Sequence, residues 1–528
     1  MKTTCVILAV LLAISQVTAQ SGHPCLSCLP QGIEFTTQAQ IDGFQTNYPG
    51  CTQVAGDMVI WGNDITNLNG LSVLNAIDGV LSIYECPVLT SLSGLNNLTS
   101  TGSNFAINGC ATLSNLTGLD NLTSIGGFLG INNCNMLTSL TTLSNLSSIP
   151  DDLTISGCSA LTSLTGLANV TSIGGDLTVS GCPALGSLTG LANVTSIGGT
   201  VKITYCNSLS NLSGLESISS IPGDLIISSC NTLNSLTGLE NVTSVGWELN
   251  IGGCNALLNL VELNNLTSIG TDIWIEYNNS LNSLAGLEKV TFIGGYLTIT
   301  NCNALQNLTG MDSLTSVGEG LRIVRCNALT DLAGLENVTS IGSELTIRFN
   351  PALTSLAGLN NLTSLGGSFS SYIHIDSCNA LVSLTGLDNI DAASITDINF
   401  YNNSSLSSCA IQSICSYLAS PNGTIVIYGN APGCNSQQEV EAVCGVSVKE
   451  LNPDPAFLIY PNPTSTSITV ETSIKGRLSI LNQHSQEVLQ LDVKEPKATV
   501  DISFLPSGVY FVRLTNERTV QVGKFVKL

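Results

Sequence analysis

The chain has 528 residues, of which 10% are charged and 43% hydrophobic, with 50 glycines and a formal net charge of −22. It is too apolar for disorder, and with 5% aromatics it lacks the bulky side chains that fill a typical enzyme core. Its acidity excludes a nucleic-acid partner, which needs clustered Lys and Arg, and disfavours an anionic membrane surface.

Residues 1–19 carry the marks of a secretory signal peptide: Lys2 ahead of the apolar stretch Val6 to Ile14, then Val17-Thr18-Ala19 as an A-x-A-like cleavage site. Cys5 precedes the apolar stretch and so is no lipid-attachment site. No later run reaches the roughly 18–20 apolar residues of a membrane span, so the sequence predicts an exported protein without a transmembrane segment. Residues 20–54, with Cys25, Cys28 and Cys51, are expected to form an N-terminal cap.

From 55 to 406 the chain repeats every 24 residues. Cys86, Cys110, Cys134, Cys158, Cys182, Cys206, Cys230 and Cys254 mark the period, and Asn278, Cys302, Cys326, Asn350, Cys378 and Asn403 continue it. With a first coil marked by Gly62, the array counts 15 coils. Within one coil, Leu177-x-Val179 alternates with period two, the signature of a short strand. Leu185, Leu188, Leu191, Val194 and Ile197 follow at every third position, and Gly174-Gly175 turns the chain back. A helical reading of the i+3 leucines fails on the Asn, Thr, Ser and Gly between them. One coil cannot bury its own apolar face, so stacked coils with continuous apolar rows are expected.

Leu177-x-Val179-x-x-Cys182 and Ile347-x-x-Asn350 resemble the L-x-L-x-x-N/C core of leucine-rich repeats, and LTSLAGLNNLTSLGG resembles the receptor L-domain repeat over about two-thirds of the chain. The resemblance implies a right-handed solenoid that binds proteins, peptides or glycans and does no chemistry. The uninterrupted run of coils departs from the shorter receptor lobes, and the ligand does not carry over. The fold expected is all-β: a right-handed parallel β-solenoid of about 15 coils, followed by a small antiparallel β-sandwich.

Asn replaces Cys at three ladder positions and can form neither a disulfide nor a thiolate ligand, which favours a buried structural ladder over disulfides or metal. Cys409, Cys415, Cys434 and Cys444 fall in a C-terminal cap, 407–444, whose AIQSICSYLA stretch reads as helical. An exported protein is free to staple its caps, with the pairing open. Cys25-x-x-Cys28 reads as part of a cap before a redox or zinc motif. No metal site and no cofactor is expected.

A polar linker, 445–456, leads to residues 457–528, where SITVET, GRLSILN, ATVDIS, GVYFVRL and VGKFVKL read as strands of a small sandwich. Tyr460-Pro461-Asn462-Pro463-Thr464, the run from Leu505 to Arg513, and Lys524-Phe525-Val526-Lys527-Leu528 resemble the type A C-terminal sorting domain of type IX secretion. That resemblance implies interaction with the secretion machinery, removal of the domain, and location at the bacterial cell surface or outside it. In that setting Asn121, Asn145, Asn169, Asn193, Asn241, Asn265, Asn337 and Asn361, all in N-[LV]-[TS], read as makers of turn hydrogen bonds and not as glycan acceptors.

His23, His374 and His484 are far apart, and no phosphate loop, HExxH or calcium-loop pattern is present. Only Asp376 with Arg348 and His374 imitates the sites of β-helical polysaccharide lyases. Thr171, Thr195, Thr243, Thr267, Thr291, Thr315 and Thr339 form one unvarying row, which reads as a regular turn or, alternatively, an ice-binding surface. The outward columns of the Leu-x-Val strands vary instead, and hold Lys202, Tyr205, Trp274, Tyr277, Arg322, Arg325, Arg348, Phe349 and His374. Aromatic and guanidinium groups are the usual binding anchors. The expected function is a secreted surface binding protein or adhesin for glycan or protein ligands. An ice-binding or purely structural solenoid is the second reading, and a polysaccharide-active enzyme the third.

Overall fold

The structure, a computed structural model, describes residues 27–366, 371–445, 457–482, 486–516 and 520–528. The signal segment expected at 1–19, His23, Cys25, the linker from 446 onward and His484 lie outside them. The chain divides into two units, 1–441 and 442–528. Among the described residues no helix is long and apolar enough to cross a membrane.

In the first unit the Leu-x-Val segments are short strands paired in parallel with the coils before and after. Leu177 faces Leu153 and Val201, and Val179 faces Ile155 and Ile203. A fixed period allows no other register without turning apolar side chains outward. Seventeen such strands form one parallel sheet, from Ile33–Phe35 to Ile425–Tyr428. That is two more than the 15 coils expected, because each cap adds a strand before the array ends: Ile33 pairs with Met58, and Ile398 with Ile425. Neither added strand lies at the 24-residue spacing.

Two-residue strands such as Ser172–Ile173 and Ser196–Ile197 line a second side. The i+3 leucines follow separate turns, including short 3-10 segments such as Thr165–Leu167 and Thr189–Leu191. Leu177, Val179, Cys182, Leu185, Leu188, Leu191 and Val194 are fully buried. Full burial of each aliphatic side chain stabilises by about 1.5–3 kcal/mol, and each coil supplies this only when a neighbour covers it.

Two short helices, α1 (Gln38–Asp42) and α2 (Phe44–Asn47), belong to the N-terminal cap. Thr37 begins α1 with a capping box, and Ile41 and Phe44 are fully buried. Disulfides join Cys28 to Cys51 and Cys409 to Cys434. Cys415 and Cys444 are disulfide-bonded as well. Helix α3 (Gln412–Ala419) covers most of the AIQSICSYLA stretch.

The second unit has a three-stranded sheet (Phe457–Tyr460, Ser467–Thr472, Lys497–Asp501) and a four-stranded one (Gly476–Leu481, Glu487–Val493, Gly508–Thr515, Val520–Lys527), both antiparallel. Ile468, Val470, Leu478, Ile480, Val512, Leu514 and Phe525 are buried in the common core.

Candidate ligand-binding face

The ladder positions point inward. All eleven ladder cysteines are buried free thiols, and their Sγ atoms contact backbone carbonyls, as Cys158 does with Ile131 at 3.6 Å and Cys302 with Ile275 at 3.5 Å. Burial pushes the Cys254 and Cys378 thiols up to about 12. Asn makes the same contact more strongly. Asn278 donates Nδ2 to the Ile251 carbonyl at 2.8 Å and accepts the Cys254 N–H at 2.8 Å. Asn350 repeats this with Ile323 and Cys326, and Asn403 with Ile375 and Cys378. Asn430 extends the series unexpectedly: it accepts the Asn403 N–H and donates to the Phe400 carbonyl.

The unvarying rows are spent on the backbone. Thr195 Oγ1 donates to the Thr171 carbonyl at 3.2 Å, and Thr339 to that of Thr315 at 3.2 Å. Asn169, Asn193 and Asn241 donate Nδ2 to carbonyls of the preceding coil at 2.7–2.8 Å. A hydroxyl whose proton is already committed has one fewer bond to offer ice, so the geometry supports the turn reading of the Thr row.

The outer side of the long sheet is different. Asn250, Trp274, Thr298, Arg322, Thr346 and His374 form one column across six coils. Glu276, Val324, Arg348, Asp376 and Tyr401 lie two residues along, on the same face. One residue past the strand the backbone is left-handed. Gly109, Gly157, Gly181 and Gly253 take that conformation freely, and Asn133, Asn301 and Asn402 tolerate it. Tyr205 (φ 55°), Tyr277 (57°), Arg325 (57°) and Phe349 (55°) do not, nor do Glu85, Ser229 and Ser377. Each costs about 1–2 kcal/mol relative to a glycine there. Tyr205 and Tyr277 are 59% and 56% exposed, so burial offsets little of that cost. Lys202 is exposed, while Trp274 is half-buried with an Nε1 that has no partner among the described residues.

The arginines are held in place. Arg322 Nε pairs with Glu344 and Arg348 Nε with Asp376, both carboxylates being almost fully buried. The Arg322 guanidinium lies 4.3 Å from the Tyr296 ring centre. Gly320 makes room for this, since a Cβ there would sit 2.7 Å from that ring. Arg325 and Arg348 rest on the Phe349 ring at 4.9 and 5.2 Å. The sequence suggests that Arg322 can be truncated without harm to folding, because outward changes usually cost little. The structure contradicts that: Arg322→Ala strands the buried Glu344 carboxylate, at about 2–3 kcal/mol once the one-third exposure of the guanidinium is allowed for.

His374 Nε2 lies 3.0 Å from Asp376 and 2.9 Å from the Tyr401 hydroxyl. Burial, then Arg348, lowers the His374 pKa, and burial raises that of Tyr401. Tyr401 and Tyr428 stack at 5.1 Å with rings nearly parallel. One face of each ring is thus covered by the other, while Tyr205 and Tyr277, at 59% and 56% exposed, stand clear of such a stack. Sequence reading missed Glu344, Tyr296, Tyr401 and Tyr428. An acidic residue one coil beyond each of Arg322 and Arg348 was the available signal. It also missed Trp247, 65% exposed at a turn.

The family of BspA type leucine rich repeat regions matches in overlapping copies from residue 81 to 375, and the secretion system C-terminal sorting domain matches residues 458–528. The repeats therefore match the BspA type of leucine-rich repeat, where the receptor L-domain type was expected. A leucine-rich repeat protein from Bacteroides eggerthii, known from a crystal structure, is similar at 13% identity and a TM-score of 0.32, over 78% of this chain and 71% of that one. Among curated proteins none matches.

Proposed function

The chain belongs to the BspA type leucine-rich repeat family, and from that premise we propose that it is a binding protein or adhesin whose contact surface is the outer side of the seventeen-strand sheet. Its sorting domain directs it to the cell surface or the extracellular space. The reading assigns it glycan or protein ligands and no catalytic step.

One observation carries the proposal. At the left-handed position after the strand, where glycine is free of strain and asparagine tolerates it, seven coils hold another residue, and in four of these it is Tyr, Phe or Arg. Backbone strain that the fold does not need is a mark of function. Screening the full chain on glycan and protein arrays tests the reading. Tyr277→Asn should leave stability equal or higher while weakening the bound ligand at least tenfold, or about 1.4 kcal/mol. A ligand held equally by Tyr277→Asn and Tyr205→Asn refutes it.

A further inference from the structure

The solenoid contains only five basic residues, Lys202, Lys289, Arg322, Arg325 and Arg348, and the three arginines lie on two neighbouring coils. They are not equivalent. Arg322 and Arg348 are gripped through Nε by Glu344 and Asp376 and steadied by the Tyr296 and Phe349 rings. Among the described residues their Nη groups have no hydrogen-bond partner. Two guanidinium planes are thus fixed in orientation with their outer edges free. Arg325 has no carboxylate partner among the described residues; it rests on Phe349, and both sit at strained left-handed positions. Among the described residues Arg322 and Arg348 each meet one carboxylate and Arg325 meets none, while Glu319 interacts with Tyr296 beside Arg322.

Resting on the binding face proposed above, we infer that this patch receives an anion-bearing saccharide, a uronate chain laid obliquely across the two coils. Fixed guanidiniums bind carboxylates by paired N–H···O bonds that a neutral sugar cannot return. Arg322 and Arg348 lie one coil apart, about 4.8 Å along the axis, and two residues apart along the strand, so a chain a few pyranose units long reaches both by crossing the coils obliquely. A peptide binding by strand addition needs an open sheet edge. The edges of this sheet are Ile33–Phe35 and Ile425–Tyr428 at its two ends, and the patch lies between them.

Calorimetric titration of the full chain with oligogalacturonate, with its methyl ester and with a polyglutamate peptide tests the inference. The acid form should bind, more weakly as salt rises, and the uncharged ester at least tenfold more weakly. Arg325→Gln, which breaks no ion pair, should weaken the acid at least tenfold. Lys289→Gln, whose ammonium donates to Asn265, should change nothing. Equal binding of ester and acid, with Tyr277→Asn still weakening both, overturns the anion assignment and leaves the face reading intact. Polyglutamate bound as tightly as the uronate overturns the saccharide class. No binding of either sugar overturns the inference, while the array screen decides the face reading separately.

Discussion

Asn278 offers the sharpest test of how the coils are held together. It is fully buried, and both ends of its amide are used, on the Ile251 carbonyl and the Cys254 N–H at 2.8 Å each. Replacing it by Ala leaves the Cys254 N–H buried without a partner, at about 1–3 kcal/mol, and takes one of two donors from the Ile251 carbonyl, at about 1 kcal/mol, so a loss of about 2–4 kcal/mol is expected. Replacing it by Cys restores the side chain of the neighbouring coils, with a weak thiol donor near the carbonyl, and should cost about 1–2 kcal/mol. A stacked array need not unfold in one step, so the readout is native-state hydrogen exchange at the Cys254 amide, alongside urea unfolding. The account fails if Asn278→Ala stays within about 1 kcal/mol of the parent, or if Cys costs as much as Ala.

Thiol titration of the unfolded, unreduced protein should find the eleven ladder cysteines free; most of them blocked would contradict the ladder. Because burial raises Cys326 to about 11 and Cys254 and Cys378 to about 12 from 9.0, the folded state keeps these protons longer than the unfolded one. Stability should therefore be full below pH 9 and fall as pH rises through 9 toward 12. At the other end of the scale, His374 should titrate below 6.5 by NMR. Its contribution is present above pH 6.5 and lost as pH falls through that value, and His374→Asn should remove the slope. Deleting residues 457–528 should leave the protein in the periplasm; normal surface display of that truncation contradicts the role of the sorting domain.

The solenoid was legible because a 24-residue period translates directly into rows. Every inward position from Leu177 to Val194 lies where alternation and i+3 spacing put it. The strand Ile425–Tyr428 and the ladder residue Asn430 escaped because Asn430 follows Asn403 by 27 residues and breaks the period. Glu344, and the burial of Asp376, escaped for a different reason. Column position gives the side of the sheet, but not that a carboxylate there folds under a neighbouring guanidinium and leaves solvent. The strain at Tyr205 and Tyr277 is a backbone property. Its trace in the sequence is the recurrence of Gly and Asn in the same column, at Gly109, Asn133, Gly157, Gly181, Gly253 and Asn301.

Hydroxyl-radical footprinting of the full chain, with and without a ligand found on the arrays, tests the central claim most directly. Tyr205, Tyr277 and Phe349 report on the proposed face. Phe292, 51% exposed on the second row of strands, is the internal control. The account predicts protection of Tyr277 and Phe349 with Phe292 unchanged. Protection of Phe292 with Tyr277 and Phe349 left fully reactive contradicts it.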